Sequence, residues 1–187
     1  VLLLNDNGSV KGTKLIDSGD FNMDGSIRWL ETGSTIDGSG KIAVSGNACG
    51  AFQSSSVFIL DLDTDGTFLS SFAISYEYLD ANYLGFGLSL VDNAFSGCSS
   101  TFGSGLAQLN DFDSDGVDDI FIGNEQNAAP GAYVTYLNAN GTVKGMDKIE
   151  SPSGSVNFAH GADLWKVNGT DVLMFIGAHE YPNNSNG

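Results

Sequence analysis

A nine-residue acidic segment in the second half of the chain has the residue types and spacing of a metal-binding loop. It reads DFDSDGVDD from residue 111, and its positions 1, 3, 5 and 9 are Asp111, Asp113, Asp115 and Asp119. Ca²⁺ takes about six to eight oxygen ligands in a flexible shell, which alternate residues of a tight loop can supply. Glycine at position 6 permits the sharp turn, and Val117 is predicted to contribute its backbone carbonyl. We therefore predict one Ca²⁺ here, in preference to a solvated acidic turn.

A second segment, DFNMDGSIRWLE at 20–31, fits a twelve-position loop of the EF-hand type. Such loops carry glycine at position 6 and a glutamate ligand at position 12. The predicted ligands are Asp20, Asn22, Asp24, the Ser26 carbonyl and Glu31. Arg28 at position 9 supplies no carboxylate, and the flanking residues do not read as two helices. A turn held by Asn and Asp side chains without metal is the alternative.

Three short segments share a pattern that predicts the elements around these loops. They read LLLNDNGSV at 2–10, ILDLDTDGTF at 59–68 and TYLNANGTV at 135–143. Each has an apolar run, an Asn-Gly or Asp-Gly pair, and then a β-branched or aromatic residue. Because such a turn needs positive φ, this pattern predicts a β-hairpin. The turn glycines recur at intervals of roughly 60 to 75 residues, a period that fits one propeller blade with insertions.

The acidic run DLDTDG at 61–66 lies at one of these turns. Its first half resembles a third calcium loop. However, Leu69 stands at position 9 and Phe72 at position 12, where oxygen ligands would be needed. We therefore predict a plain hairpin turn without metal.

A second apolar phrase recurs as KIAVSG at 41–46, DIFIG at 119–123 and VLMFIG at 172–177. It precedes the hairpin pattern in the first two copies. The best-preserved unit, Phe102–Glu150, is predicted to have four strands, near 104–110, 119–123, 132–137 and 142–149. Four antiparallel strands form one blade of a β-propeller. The predicted fold class is therefore all-β, with propeller blades of four antiparallel strands.

The unit Phe102–Glu150 resembles the FG-GAP repeats of integrin α-like β-propellers. Phe102-Gly103 stands where that family has its Phe-Gly pair, and 111–119 stands where it has its calcium loop. Gly123-Asn124-Glu125 replaces the family's Gly-Ala-Pro. The resemblance covers about 50 residues closely and 33–75 and 155–187 more weakly. It implies an extracellular or cell-surface propeller that binds Ca²⁺ and protein partners.

The resemblance divides the chain into about three blades, with half-blades at each end. The predicted units are a half-blade at 1–19, a blade at 20–75, an insertion at 76–101, a blade at 102–150 and a half-blade at 151–187. The insertion is either a binding loop or an extra strand pair that closes over the core. The two half-blades have complementary patterns. The chain is either a segment of a larger propeller or a subunit whose half-blades are completed by other copies of itself.

The net charge of the chain disfavours some classes of binding partner. It carries 23 acidic and 7 basic residues, a formal net charge of −16. We expect no nucleic acid partner, because binding DNA or RNA requires a basic footprint. An anionic membrane surface is disfavoured for the same reason, and no apolar run of about 20 residues predicts membrane insertion. The acidic residues are expected to bind divalent cations in a minority of positions and to keep the surface soluble in the rest.

Other features are compatible with a secreted protein. Cys49 and Cys98 form one disulfide or remain two separate buried thiols. Four N-x-S/T sequons occur, at Asn7, Asn140, Asn168 and Asn183. No signal peptide is visible, and the strand-like opening Val-Leu-Leu-Leu is interpreted as a processed or trimmed start.

The sequence shows no nucleophile–base signature, and His160 and His179 are its only histidines. We predict that the protein is not an enzyme. The first functional hypothesis is an extracellular, noncatalytic calcium-binding module for adhesion or protein recognition. The alternatives are a self-assembling structural subunit and an accessory domain of a secreted hydrolase. Fold alone does not decide among them.

Overall fold

The computed structural model describes residues 2–15, 25–36, 41–50, 55–75, 82, 102–124, 131–152, 156–168 and 171–180. The fold over these residues is all-β, as predicted. Twelve strands occur in the described part of the chain: β1 (Leu2–Leu4), β2 (Val10–Thr13), β3 (Gly25–Ile36), β4 (Lys41–Gly50), β5 (Ser55–Leu62), β6 (Phe68–Ser75), β7 (Phe102–Asn110), β8 (Asp119–Asn124), β9 (Gly131–Leu137), β10 (Val143–Glu150), β11 (Val156–Asn168) and β12 (Asp171–Glu180). No helix among these residues has the length and hydropathy needed to cross a bilayer.

The strands form four antiparallel sheets. Two sheets have four strands each, in the orders β3-β4-β5-β6 and β7-β8-β9-β10, so neighbours in sequence are neighbours in space. The other two are the pairs β1-β2 and β11-β12. The four strands predicted within Phe102–Glu150 are confirmed, with ends that differ by at most a few residues. The predicted insertion 76–101 and Cys98 lie outside the described residues, apart from Asn82.

The three predicted hairpins are confirmed, and their turns are nearly identical. Gly8, Gly66 and Gly141 have φ of 79°, 78° and 82°. In each turn the glycine N–H donates to a carbonyl three residues earlier, at 2.8, 2.9 and 2.7 Å. The side chain of the Asn or Asp that precedes each glycine accepts the backbone N–H of the Ser or Thr that follows the glycine, at 3.0, 3.0 and 3.1 Å. Glycine adopts the left-handed conformation without steric cost, and the Asn or Asp side chain closes the turn.

The acidic run at 61–66 is thus a hairpin turn, as predicted. Asp65 occupies the position held by Asn in the other two turns. The hydrogen bond that the Thr67 hydroxyl donates is the largest cause that lowers the pKa of Asp65 to about 2, and the interaction with the Asp63 side chain and the Thr67 backbone N–H act in the same direction. A carboxyl whose pKa is depressed by folding stabilises the protein above its unfolded pKa. This contribution is lost as the pH falls from about 4 to about 2.

We therefore expect Asp65→Asn to remove a small acid-sensitive part of the stability. The introduced amide should keep the turn hydrogen bonds, because Asn7 and Asn140 close the other two turns in the same way. The difference in the free energy of unfolding between wild type and variant should change between pH 4 and pH 2, to the disadvantage of the wild type. Urea denaturation at the two pH values measures it. Parallel losses in both proteins would contradict the prediction.

Apolar side chains lie on both faces of β8. Each face packs against a different neighbouring sheet, so the sheet that contains β8 lies between two others. Ile120 and Ile122 belong to a core cluster shared with Ala43, Val57 and Ile59 of the first four-stranded sheet. Phe121 faces the opposite side and packs in a cluster with Phe158 of β11. The period of two along a strand makes this double burial possible.

A bulge in β7 and another in β11 bring the sheets into contact. The pairing register shifts between Phe102 and Leu106 in β7 and between Phe158 and Ala162 in β11. Each bulge contains a residue with positive φ, Gly103 at 86° and Ala159 at 72°. Gly103 lies against Ser45 and Val57 of the preceding sheet, and the Ala159 carbonyl lies against two glycines of β7 and β8, Gly105 and Gly123. Glycine permits this close approach of one backbone to another.

Candidate metal centre

The loop between β7 and β8 brings three of the predicted ligands together. Asp111, Asp113 and Asp115 each offer a carboxylate oxygen, and these oxygens lie within 4.8 Å of one another. All three residues are exposed. Within the described part of the chain this is the only such group of three His, Cys, Asp or Glu residues. A cluster of this kind could hold a metal ion, and its all-oxygen donor set suits a hard cation.

The backbone of the loop curls tightly around these side chains. Asn110, Ser114 and Gly116 have positive φ, at 54°, 65° and 89°. The Asp115 N–H donates to Asp111 Oδ1 at 2.7 Å, and the Val117 N–H donates to Asp115 Oδ1 at 2.9 Å. Carboxylates that accept local N–H groups hold such turns together. The loop is therefore folded by the same side chains that would bind the ion.

Val117 anchors the end of the loop. Its half-buried side chain packs against the core cluster shared by the two four-stranded sheets. Ligation by its carbonyl remains a prediction. The neighbouring Asp118 lies outside the group of three, and its Oδ2 accepts a hydrogen bond from Gln108 Nε2 on β7.

Asp119, the predicted ligand at position 9, has a different environment from the other three. It is fully buried and is not part of the group of three. Its Oδ2 accepts N–H groups of Phe112 and Asp113 at 3.0 and 3.3 Å, and its Oδ1 accepts that of Leu137 at 3.0 Å. Burial raises the pKa of Asp119, while these backbone hydrogen bonds act in the opposite direction. The Asp119 carboxylate therefore ties the loop at 111–118 to β9, a role that spacing alone does not predict; its ligation of an ion stays a prediction.

We expect Asp119→Ala to destabilise the protein even in the absence of metal. The substitution removes the acceptor of three backbone N–H groups, and leaving a buried donor unpaired costs about 1–3 kcal/mol. Urea denaturation in the presence of a chelator measures this loss. Asp118→Ala is the matched control, since it removes the adjacent, less buried carboxylate, and its effect should be smaller. Equal stabilities of the two variants would contradict the assigned role.

A lysine from β10 approaches the carboxylate cluster. Lys144 Nζ forms ion pairs with Asp113 Oδ2 and Asp115 Oδ2. Its hydrogen bond is the main reason why the pKa of Asp115 is lowered. The same two carboxylates raise the pKa of Lys144, with Asp113 as the larger cause. Nothing in the sequence spacing signals this contact, because Lys144 lies 29 residues from Asp115. The ammonium group competes for the oxygens that a metal ion would use.

The second predicted calcium loop is described only in part. Asp20, Asn22 and Asp24 lie outside the described residues. Ser26 and Glu31 lie in β3, which is paired with β4 from Gly25 onwards. Two register shifts interrupt this part of β3. Ligation by the five predicted residues, Asp20, Asn22, Asp24, the Ser26 carbonyl and Glu31, stays a prediction.

No protein-family model and no curated protein matches this sequence.

The histidines lie in the last two strands, His160 in β11 and His179 in β12. The absence of catalytic activity stays a prediction.

Proposed function

We propose that the chain is a noncatalytic β-propeller module that binds Ca²⁺ and acts outside the cell or at its surface in adhesion or protein recognition. The observation that carries this proposal is the group of Asp111, Asp113 and Asp115 on a loop between two strands of a four-stranded sheet. The fold supports the propeller because four-stranded antiparallel sheets follow one another in sequence order and pack face to face. The FG-GAP resemblance of Phe102–Glu150 supports the extracellular recognition role.

Ca²⁺ is the ion that best fits the site. Its donors are carboxylates on an exposed loop, and Ca²⁺ accepts irregular shells of oxygen ligands with water in the remaining positions. Mg²⁺ demands a near-octahedral arrangement and is reluctant to lose its water. Zn²⁺ prefers nitrogen and sulfur ligands, and the group of three has neither. The three negative charges also favour a divalent cation over the single ammonium of Lys144.

Thermal denaturation with and without Ca²⁺ tests the metal site. Ligand at about 100 times its Kd adds about 2.7 kcal/mol to the stability, which raises the Tm of a chain of this size by roughly 5–10 °C. Mg²⁺ at the same concentration should raise the Tm less. Asp113→Asn should abolish most of the Ca²⁺ effect, whereas Asp118→Asn should preserve it. A wild-type Tm that is the same in Ca²⁺ and in chelator would refute the proposal.

The recognition role is tested by binding to immobilised extracellular matrix proteins. If the metal loop contributes to recognition, binding in Ca²⁺ should fall in chelator and in Asp113→Asn, and Asp118→Asn should behave like the wild type. Binding that is identical in all four conditions would show that the loop stabilises the fold without taking part in recognition.

A further inference from the structure

Two of the three hairpin turns contain an Asn-Gly pair, a sequence that is prone to deamidation. The pairs are Asn7-Gly8 and Asn140-Gly141. The glycine backbone nitrogen attacks the side-chain carbonyl carbon of the asparagine, and glycine has no side chain that hinders this approach. The third turn has Asp65-Gly66 at the same place, which is the sequence that loss of the amide would give.

The closed turn holds the reacting groups in the same way at both Asn-Gly pairs. The Gly8 N–H donates to the Asn5 carbonyl at 2.8 Å. The Gly141 N–H donates to the Asn138 carbonyl at 2.7 Å. In each turn the asparagine Oδ1 also accepts the backbone N–H and the hydroxyl of the Ser or Thr after the glycine, the hydroxyl at 2.7 Å in both. The reaction therefore requires the turn to open, and the free energy of local opening sets its rate.

The two turns differ in what surrounds the glycine. Both asparagines are exposed, but Gly141 is buried, and a Cβ on it would lie 2.9 Å from Cγ2 of Ile59 in the neighbouring sheet. Gly8 is exposed, and a Cβ on it would have no neighbour within 4 Å. An open cavity of about 380 Å³ beside this turn is lined by Leu4, Asn5, Asp6, Asn7 and Lys11. Solvent therefore reaches the reacting groups at 7–8 but not the glycine at 141.

The strands that flank the two turns differ in the same direction. Leu137 and Val143 are 0% and 6% exposed, whereas the equivalent Leu4 and Val10 are 54% and 60% exposed. The first two belong to a four-stranded sheet, and β1-β2 is a two-stranded sheet over the described residues. A two-stranded sheet is only marginally stable by itself. The turn at 5–9 therefore opens by local fraying, whereas the turn at 138–142 opens only with the loss of core contacts.

We propose that Asn7 is a site of spontaneous deamidation in the folded 187-residue chain and that Asn140 is protected from it. The Gly8 nitrogen loses its proton to a solvent base and forms a bond to Asn7 Cγ. The Cγ–Nδ2 bond breaks, and Nδ2 takes up a proton and leaves as ammonia. Water then opens the resulting succinimide. Cleavage of the new N–Cγ bond leaves an aspartate side chain at position 7, and cleavage of the other imide bond leaves isoaspartate.

The aspartate product should keep the hairpin turn. The Asp65 carboxylate accepts the backbone N–H and the hydroxyl of Thr67, as the Asn7 amide accepts those of Ser9. The isoaspartate product should not keep it, because an added methylene lengthens the main chain between β1 and β2 and shifts their pairing. Both products make the net charge of the chain more negative by one. This inference is independent of the proposed calcium site.

Peptide mass spectrometry after incubation in mildly alkaline buffer tests the proposal. In the folded chain, amide-to-acid conversion should be at least about tenfold faster at Asn7 than at Asn140, which corresponds to an opening free energy lower by about 1.4 kcal/mol. In concentrated urea both turns are open, and the two rates should be similar, because the local sequences are Asn-Gly-Ser and Asn-Gly-Thr. The comparison thus separates the effect of the fold from the effect of the local sequence.

Asn7→Asp is the reference for the aspartate product, and its Tm should equal that of the wild type. A lower Tm of this variant would contradict the fit of aspartate in the turn. Equal rates at Asn7 and Asn140 in the folded chain would overturn the proposal, as would an Asn7 that stays unconverted in the folded chain while it is converted in urea. A rate at Asn140 that is the same with and without urea would refute its protection.

Discussion

Gly123→Ala should destabilise the protein by roughly 3 kcal/mol or more, because it places a methyl group where another backbone already lies. A Cβ on Gly123 would overlap the carbonyl oxygen of Ala159, and Gly105 N lies only 3.2 Å away. All of these obstacles are backbone atoms, so no rotamer change can relieve the overlap. The bulge of β11 would have to withdraw from β8, and the apolar cluster between the two sheets would open. For a chain of this size the Tm should fall by about 6–12 °C.

Gly161→Ala is the matched control for this prediction. Gly161 lies in the same β11 bulge, but a Cβ there would have no neighbour within 4 Å. Its replacement should leave the stability unchanged or raise it by about 0.4–1 kcal/mol, because alanine restricts the unfolded chain. Urea denaturation of both variants gives the comparison. If Gly123→Ala is as stable as Gly161→Ala, the close approach of Ala159 to β8 does not hold in solution.

Lys144→Met should strengthen Ca²⁺ binding by on the order of tenfold, since like charges a few ångströms apart repel even near a protein surface. Lys144 pairs with Asp113 and Asp115, so an entering ion must displace the ammonium group or share the carboxylates with it. The substitution should also lower the Tm in chelator, because three carboxylates would then face one another uncompensated. The Tm difference between Ca²⁺ and chelator should therefore widen.

Calorimetric titration with Ca²⁺ measures the change in affinity. Lys148→Met removes a lysine of the same strand that pairs with Glu150, and its affinity for Ca²⁺ should match that of the wild type. The effect of Lys144 on the Ca²⁺ affinity should also depend on the salt concentration, because an ion pair between exposed charges weakens as the ionic strength rises. Equal affinities of Lys144→Met and Lys148→Met would show that Lys144 leaves the cluster freely and does not tune the site.

Local sequence determined the features of this protein that depend on a few neighbouring residues. An Asn-Gly or Asp-Gly pair between apolar runs specified the three hairpin turns, since only a short segment must adopt positive φ and close its own hydrogen bonds. The turn at 61–66 and the loop at 111–119 both begin with alternating aspartates, but the residues that follow within each segment distinguish them. The grouping of Asp111, Asp113 and Asp115 was predictable for the same reason, because their spacing around a glycine sets it.

The tertiary structure decided whatever depends on segments that are distant in sequence. The Asp119 carboxylate accepts a backbone N–H of Leu137 on β9 as well as two from the loop itself, and Lys144 pairs with Asp113 and Asp115 from β10. Gly123 is required by a carbonyl from β11, and nothing near it in the sequence indicates this. Leu4, Leu62 and Leu137 occupy equivalent places in equivalent hairpins, yet only the last two are buried. The turn chemistry of these hairpins is local, but burial depends on which strand or sheet packs against each of them, and that is a property of the assembled sheets.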